Sequence, residues 1–231
     1  MRTLVVVVLT CLALTCAPLI GDAKEKEPVK RLEESATVFS EIMDTPDNSI
    51  PQDLLEMAHC IVIVPGLKKG AFIVGAQYGK GYLSCRNKNG AGWSAPGAIR
   101  IEGGSVGFQI GGSETDLVML VMNQRGAEKL LSSEFTVGAE GEVAAGPVGR
   151  SSSAETDASM RAEILSWSRS RGVFAGIALK GATLREDLDD NEALYGKRLD
   201  NRGIVTTGIA PPSAAAKLLS LLGRYSWRQT N

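Results

Sequence analysis

Between Cys60 and Leu184 the chain is a series of short apolar runs cut by glycine at close spacing. This pattern constrains the fold more than any other feature. Short runs with no helical period between them pair as antiparallel strands and leave no length for βαβ crossovers. Cys60-Ile61-Val62-Ile63-Val64 predicts a buried strand, Pro65 to Gly70 a turn, and Ala71 to Tyr78 a second strand. Gly79-Lys80-Gly81 predicts a tight turn, and Tyr82 to Arg86 a third strand. Ala98 to Ile110 reads as a long strand interrupted by glycine, and Leu117 to Met122 as a core strand. Gly126 to Ser132 reads as a short helix. Glu163 to Arg169 and Val173 to Leu184 form a hairpin around Arg171-Gly172. Glycine supplies 26 of 231 residues, which suits strands that bend or pack closely.

Ahead of this region the period is helical. Val29, Leu32, Ala36, Phe39 and Met43 recur at steps of three and four and form one stripe. Pro46 stops that helix, and a second short one follows from Pro51 to Ala58. The tail predicts short helices near Glu186–Tyr195 and Ser213–Leu222. The expected architecture is α+β: an antiparallel, curled or barrel-like sheet body, an N-terminal helical segment, and short C-terminal helices. Residues 24–231 are expected to form one domain, with helices over 28–58, a β-rich body over 60–184 and C-terminal helices over 185–223.

Residues 1–23 carry Arg2, a nearly unbroken apolar stretch from Leu4 to Leu14, and the small-x-small triplet Gly21-Asp22-Ala23. This is a secretory signal pattern with cleavage before Lys24; the alternatives are an uncleaved anchor or a lipoprotein acylated at Cys16. The expected setting is periplasmic or secreted, with peripheral membrane association. Lys and Arg total 25 against 26 Asp and Glu, a net charge of −1. That excludes a whole-domain basic footprint for nucleic acid. Aromatics at 5% are too few for a single-strand stacking platform.

Catalytic signals are weak. Gly103-Gly104-Ser105-Val106-Gly107 matches the nucleophile-elbow pattern, but Phe108 to Gly112 after it reads as strand rather than helix. The single histidine, His59, lies upstream of Ser105, against the chain order of that fold. It also lacks companions for a metal site. The glycine-rich stretches Gly75–Gly81 and Gly138–Gly141 lack the Gly-Lys-Ser/Thr ending of a phosphate-cradling loop. The expectation is a protein without catalysis, metal or cofactor.

Cys60 and Cys85 remain after signal removal. In a plain meander both stand beside Gly75, roughly 9–10 Å apart. A disulfide needs Cα atoms within about 7 Å, whereas export favours oxidation. The sequence leaves both states open. In the same meander the turns carrying Lys68-Lys69 and Arg86/Lys88 point to one end of the sheet. With Lys30 and Arg31 of the lead-in helix they are candidate contacts for anionic headgroups. Packing of the helix stripe on its own domain is favoured over a membrane-surface role.

The middle of the chain resembles the SYLF lipid-binding domain family, also known through yeast actin-binding members. The resemblance rests on Cys60-Ile61-Val62-Ile63-Val64-Pro65, Lys69-Gly70-Ala71-Phe72-Ile73-Val74-Gly75 and Tyr78-Gly79-Lys80-Gly81. It continues through Trp93-Ser94-Ala95-Pro96, Gly103 to Gly111, Thr115-Asp116 and the strand after it. Its most specific run is Val143 to Arg150, followed by Thr156-Asp157, Ala162 to Gly172, Phe174-Ala175-Gly176, Gly181 and Leu194-Tyr195-Gly196. Their order, more than any single piece, carries the resemblance over about residues 30–197. It implies binding to membrane lipids, phosphoinositides in eukaryotic members, and no catalysis. The export signal points to a bacterial, secreted member and argues against cytoplasmic actin as a partner. The alternative is an envelope protein-interaction module with no lipid ligand. Arg150, Arg161, Glu163, Arg169 and Arg171 are expected as buried or paired charges that hold the body together.

Overall fold

The computed structural model describes residues 20–45, 49–71, 75–87, 92–105, 111–139, 142–147, 162–170, 173–176 and 181–226. Most of the expected signal segment, residues 1–19, lies outside them. So do Lys88, Arg150, Arg161, Arg171 and Thr156-Asp157.

The first helix, α1, runs Ile20–Met43 and continues through Pro28, so it begins earlier than the stripe from Val29 indicates. Leu32, Ala36, Phe39 and Ile42 are buried against the body. A short α2 covers Gln52–Met57, opened by Pro51. Then come β1 (Cys60–Ala71), β2 (Gly75–Cys85), β3 (Gly97–Ser105) and β4 (Gly111–Val121). Next are α3 (Gln124–Leu130), β5 (Glu134–Thr136) and β6 (Val143–Ala145). The hairpin expected around Arg171-Gly172 is β7 (Ile164–Ser170) paired with β8 (Val173–Gly176), and β9 (Ala182–Glu186) is a separate strand. The tail holds α4 (Leu188–Tyr195), α5 (Asn201–Thr206), a 3-10 turn at Ser213–Ala215 and α6 (Ala216–Tyr225).

One nine-stranded sheet orders these strands β5-β9-β3-β2-β1-β4-β7-β6, with β8 also on β7. All pairings are antiparallel except β6 with β7. Side chains alternate between two cores. Ile61, Ile63, Val118, Leu120, Leu165 and Trp167 face α1, α2 and α6. Val62, Val64, Leu117, Met119 and Leu184 face the other way and meet α3 and α5. Phe135 near one edge and Ile164 near the other share that second core. Residues so far apart across the strand order meet only if the sheet curls, so it forms a half-barrel around the inner core.

The register corrects the expected meander. Neither Pro65–Gly70 nor Gly79–Gly81 is a turn; both lie inside long strands. β1 instead carries one extra residue relative to both neighbours, between Ile63 and Lys68. This is a β-bulge at Pro65-Gly66. Proline has no N–H to donate, and Gly66 adopts φ +59°. β2 crosses the bulge where it has no side chains: a Cβ on Gly81 would lie 2.0 Å from the Ile63 carbonyl oxygen. The glycines that read as a turn are a close crossing.

With that register Cys60 stands directly opposite Cys85, and the two form a disulfide with Cα atoms 3.9 Å apart. The Arg86 N–H donates to the His59 carbonyl, 2.8 Å, so the pair occupies the closer, non-hydrogen-bonded site of an antiparallel ladder.

Candidate functional site

The bulge forms the floor of a groove of about 790 Å³ between α1 and the β1–β2 hairpin. The Gly66 N–H, turned out of the ladder, donates to Asp116 Oδ1 at 2.9 Å. Arg169 of β7 holds the same carboxylate through Nε at 2.7 Å and also pairs with Glu41 of α1. Asp116 of β4 and Arg169 of β7 therefore tie the bulge of β1 to α1, linking four elements. Glu163, another expected paired charge, binds Lys129 at 2.8 Å.

The deep end of the groove is neutralised within the fold. Lys80 of β2 contacts Asp187 at 2.7 Å and Asp190 at 3.1 Å, and Arg31 of α1 reaches Asp190 at 2.5 Å. Burial opposes charge on Lys80, but its bonds to Asp187 and Asp190 outweigh it and raise the ammonium above its ordinary value. Burial likewise pushes Asp187 up, yet Lys80 and the Asp190 N–H outweigh it and hold the carboxyl below its ordinary value. Nearby, the Tyr82 hydroxyl donates to the Pro28 carbonyl at 2.7 Å.

The rim is different. Lys68 is exposed and makes no ion pair among the described residues. It stands directly opposite Tyr78, which is 48% exposed. Across the groove Lys30 lies 3.5 Å from Glu34, both exposed. Among the described residues the rim thus offers one free cation, one weakly held cation and an aromatic ring on one surface.

Of the six candidate residues, Lys30, Arg31 and Lys68 line this groove together. Lys69 does not join them. Neighbours along a strand point to opposite faces, and Lys69 is turned toward the inner core side. Arg86 lies at the other end of the hairpin, since Cys85 pairs with Cys60 while Lys68 pairs with Tyr78. It donates to the Leu55 and Ser226 carbonyls at 2.9 and 2.8 Å and stacks 4.2 Å over Trp93. The expected single patch is therefore corrected for Lys68, Lys69 and Arg86. The hairpin has no turn at Gly79–Gly81, so its two ends carry separate groups, and Arg86 is engaged within the fold. Lys88 lies outside the described residues.

Sequence reasoning missed Tyr78, Lys80, Asp187 and Asp190. Tyr78 and Lys80 sit in the quoted Tyr78–Gly81 motif, where their same-face spacing was a usable signal once read as strand. Nothing local marks Asp187 and Asp190 as partners of residues so distant in sequence.

Ser105 is the last residue of β3, paired with Gly75, and Val106-Gly107 lie outside the described residues. His59 is partly buried, its N–H donating to the Val121 carbonyl at 2.8 Å. Among the described residues no group of three or more His, Cys, Asp or Glu is placed to hold a metal. No described helix is long and apolar enough to cross a membrane.

Residues 102–225 match the model of the Ysc84 family, described as Las17-binding protein actin regulator. LAS seventeen-binding protein 3 of Saccharomyces cerevisiae is 34% identical over 192 residues, 80% of this chain and 41% of that protein. SH3 domain-containing YSC84-like protein 1 of Xenopus laevis is 32% identical over 207 residues, 88% of this chain and 60% of that protein. Protein YSC84 of Saccharomyces cerevisiae is 33% identical over 181 residues, 76% of this chain and 38% of that protein. The chain thus spans between 38% and 60% of these relatives' length. The first is named as a binding protein and the second as an SH3 domain-containing protein, and none of the three is named as an enzyme. With its motifs in family order, a matching model over more than half its length and these relatives, the chain belongs to the Ysc84 (SYLF) family.

Proposed function

We propose that the groove rim binds an anionic phospholipid surface without catalysis, in the exported, envelope-associated setting expected from residues 1–23. The observation that supports this most is Lys68, without an ion pair among the described residues, directly opposite the exposed Tyr78. A lysine supplies attraction to lipid phosphate, and a tyrosine ring settles at headgroup depth with its hydroxyl in water. Lys30 adds a second cation from α1. The α1 stripe has no part in it, because those side chains fill the body's own core.

The test is flotation of the whole chain with vesicles of phosphatidylcholine, with and without phosphatidylglycerol, at low and high salt. A basic residue near an anionic surface contributes about 1 kcal/mol. Lys68→Glu should weaken binding to the anionic vesicles at least about fivefold and flatten its salt dependence. Tyr78→Ala should weaken it at every salt concentration. Both sites are exposed, so melting temperatures should not move. Unchanged binding and an unchanged salt slope in both variants would remove the rim from lipid recognition.

A protein partner is the second reading. Glu34 and Glu114 share the groove with Lys30 and Lys68, and alternating signs suit a mixed-charge polypeptide better than a uniformly anionic surface. The relative named for Las17 binding is a precedent. This reading predicts no flotation at any salt, with Lys68→Glu weakening capture of a specific protein.

A further inference from the structure

On the inner face of the half-barrel, polar side chains from neighbouring strands lie side by side without hydrogen-bond partners among the described residues. Lys69 of β1 stands opposite Ser113 of β4 on one side and Gln77 of β2 on the other. Gln77 stands opposite Gly103 of β3, and Gly103 opposite Ala182 of β9. Directly opposite residues share a face, so these five form one row across five strands, with no acid in it. Thr115 lies one step deeper, opposite Leu67. The face is the inner one, because Leu67 and Leu117, neighbours of Lys69 and Thr115 at strand spacing two, belong to the inner core.

Gln77 is 7% exposed and Thr115 9% exposed. Among the described residues the Thr115 hydroxyl has no hydrogen-bond partner. Among the described residues neither the Gln77 amide nor the Lys69 ammonium makes a hydrogen bond or an ion pair. Buried polar groups normally find partners, and those that do not destabilise the fold until something pairs with them. Gly103 keeps the place beside the amide open: a Cβ there would lie 3.1 Å from Gln77 Nε2 and 2.8 Å from the Gly181 carbonyl oxygen. Burial also lowers the Lys69 ammonium from its ordinary value, a cost that a bound anion would reverse.

We propose that this row is a binding site for one singly charged oxyanion, a phosphodiester or a carboxylate. Lys69 supplies the charge, and Gln77 Nε2 and Thr115 Oγ1 donate the orienting hydrogen bonds. One cation in the row matches one negative charge. The site is distinct from the groove rim, since Lys68 and Lys69 point to opposite faces, and it does not rest on the membrane reading.

The whole chain is titrated with dimethyl phosphate, with butyrate, and with dihexanoyl phosphatidylglycerol below its micelle concentration, following the Lys69 side-chain NMR signal. Saturable shifts with dimethyl phosphate identify a free phosphodiester as sufficient, and shifts with butyrate a carboxylate. Shifts with the short-chain lipid alone identify a headgroup. No saturable shift with any of the three overturns the proposal. Lys69→Met keeps the shape and should weaken binding at least about tenfold, the scale of a lost charge-assisted contact. It should also raise the melting temperature, because an unpaired, partly buried charge is removed. Thr115→Val should weaken binding about threefold or more, while Lys68→Met should leave it within about twofold. Wild-type affinity in Lys69→Met, or a fall in its melting temperature, would overturn the site. Loss of vesicle flotation in Lys68→Glu bears only on the rim.

Discussion

At the scale of single residues, the β1–β2 crossing depends on absent side chains. A Cβ on Gly81 would meet backbone at 2.0 Å, whereas one on Gly70 would meet nothing within 4 Å. Gly81→Ala should therefore cost about 3 kcal/mol or more, and Gly70→Ala less than about 0.5 kcal/mol, measured by urea unfolding. Equal midpoints for the two would mean that the strands can part at the bulge without penalty. The same crossing explains what the sequence concealed. Gly79-Lys80-Gly81 has turn composition, and only knowledge of the bulge opposite tells a turn from a close approach. Pro65–Gly70 has turn composition as well, and reading both segments as turns places Cys60 and Cys85 on strands that are not neighbours. The disulfide closes a loop over 25 positions, so replacing both cysteines by serine should cost about 3 kcal/mol. A urea midpoint insensitive to the replacement would show that the unfolded chain is already constrained there.

At the scale of elements, α1 is held by an apolar stripe and an ion network of different visibility. Leu32, Ala36 and Phe39 were legible from their spacing alone, because helical period and burial coincide. The network of Arg31, Lys80, Asp187 and Asp190 joins α1, β2 and the start of α4 across the chain, so no local pattern announces it. Its pH behaviour follows from the shifts. Asp187 is held below its ordinary value, so its contribution is present above the unfolded carboxylate value and is lost as pH falls through the lower folded one. Lys80 is raised, so its contribution is present below the ordinary lysine value and is lost as pH rises through the higher folded one. Asp187 also caps α4, accepting from the Asp190 N–H at 3.1 Å. Asp187→Asn keeps a capping side chain and removes the charge. It should cost about 2 kcal/mol at neutral pH, less than the about 3–5 kcal/mol of a fully buried pair, because Lys80 keeps Asp190. Its stability should also fall less steeply in acid than that of the wild type. A parallel acid slope in melts across pH would show that other carboxylates carry the acid sensitivity.

At the scale of the molecule, the α+β class and the curled antiparallel sheet were readable, because short apolar runs with close spacing allow little else. The three-residue strands Glu134–Thr136 and Val143–Ala145 were not, since so short a segment has no period of its own. The candidate site was half legible: Lys30, Arg31 and Lys68 fall together, but which face each lysine takes depends on a bulge that adds one residue to β1. The pleat lets each central strand serve two cores, which alternate residue by residue along β1 and β4. Ile61 faces the helices while Val62 faces the inner core, and Val118 and Leu117 divide in the same way. No plane through the chain separates one core from the other, so neither can melt while the shared strands persist. Unfolding in urea should be a single transition. Fluorescence from the buried Trp93 and Trp167, which report on the helix-side core, should superimpose on far-ultraviolet ellipticity from the sheet. Leu184→Ala in the inner core and Leu165→Ala in the outer one should each cost about 2–5 kcal/mol. Each should move both signals together. A tryptophan signal that follows Leu165→Ala but ignores Leu184→Ala would show that the two faces of the sheet unfold independently.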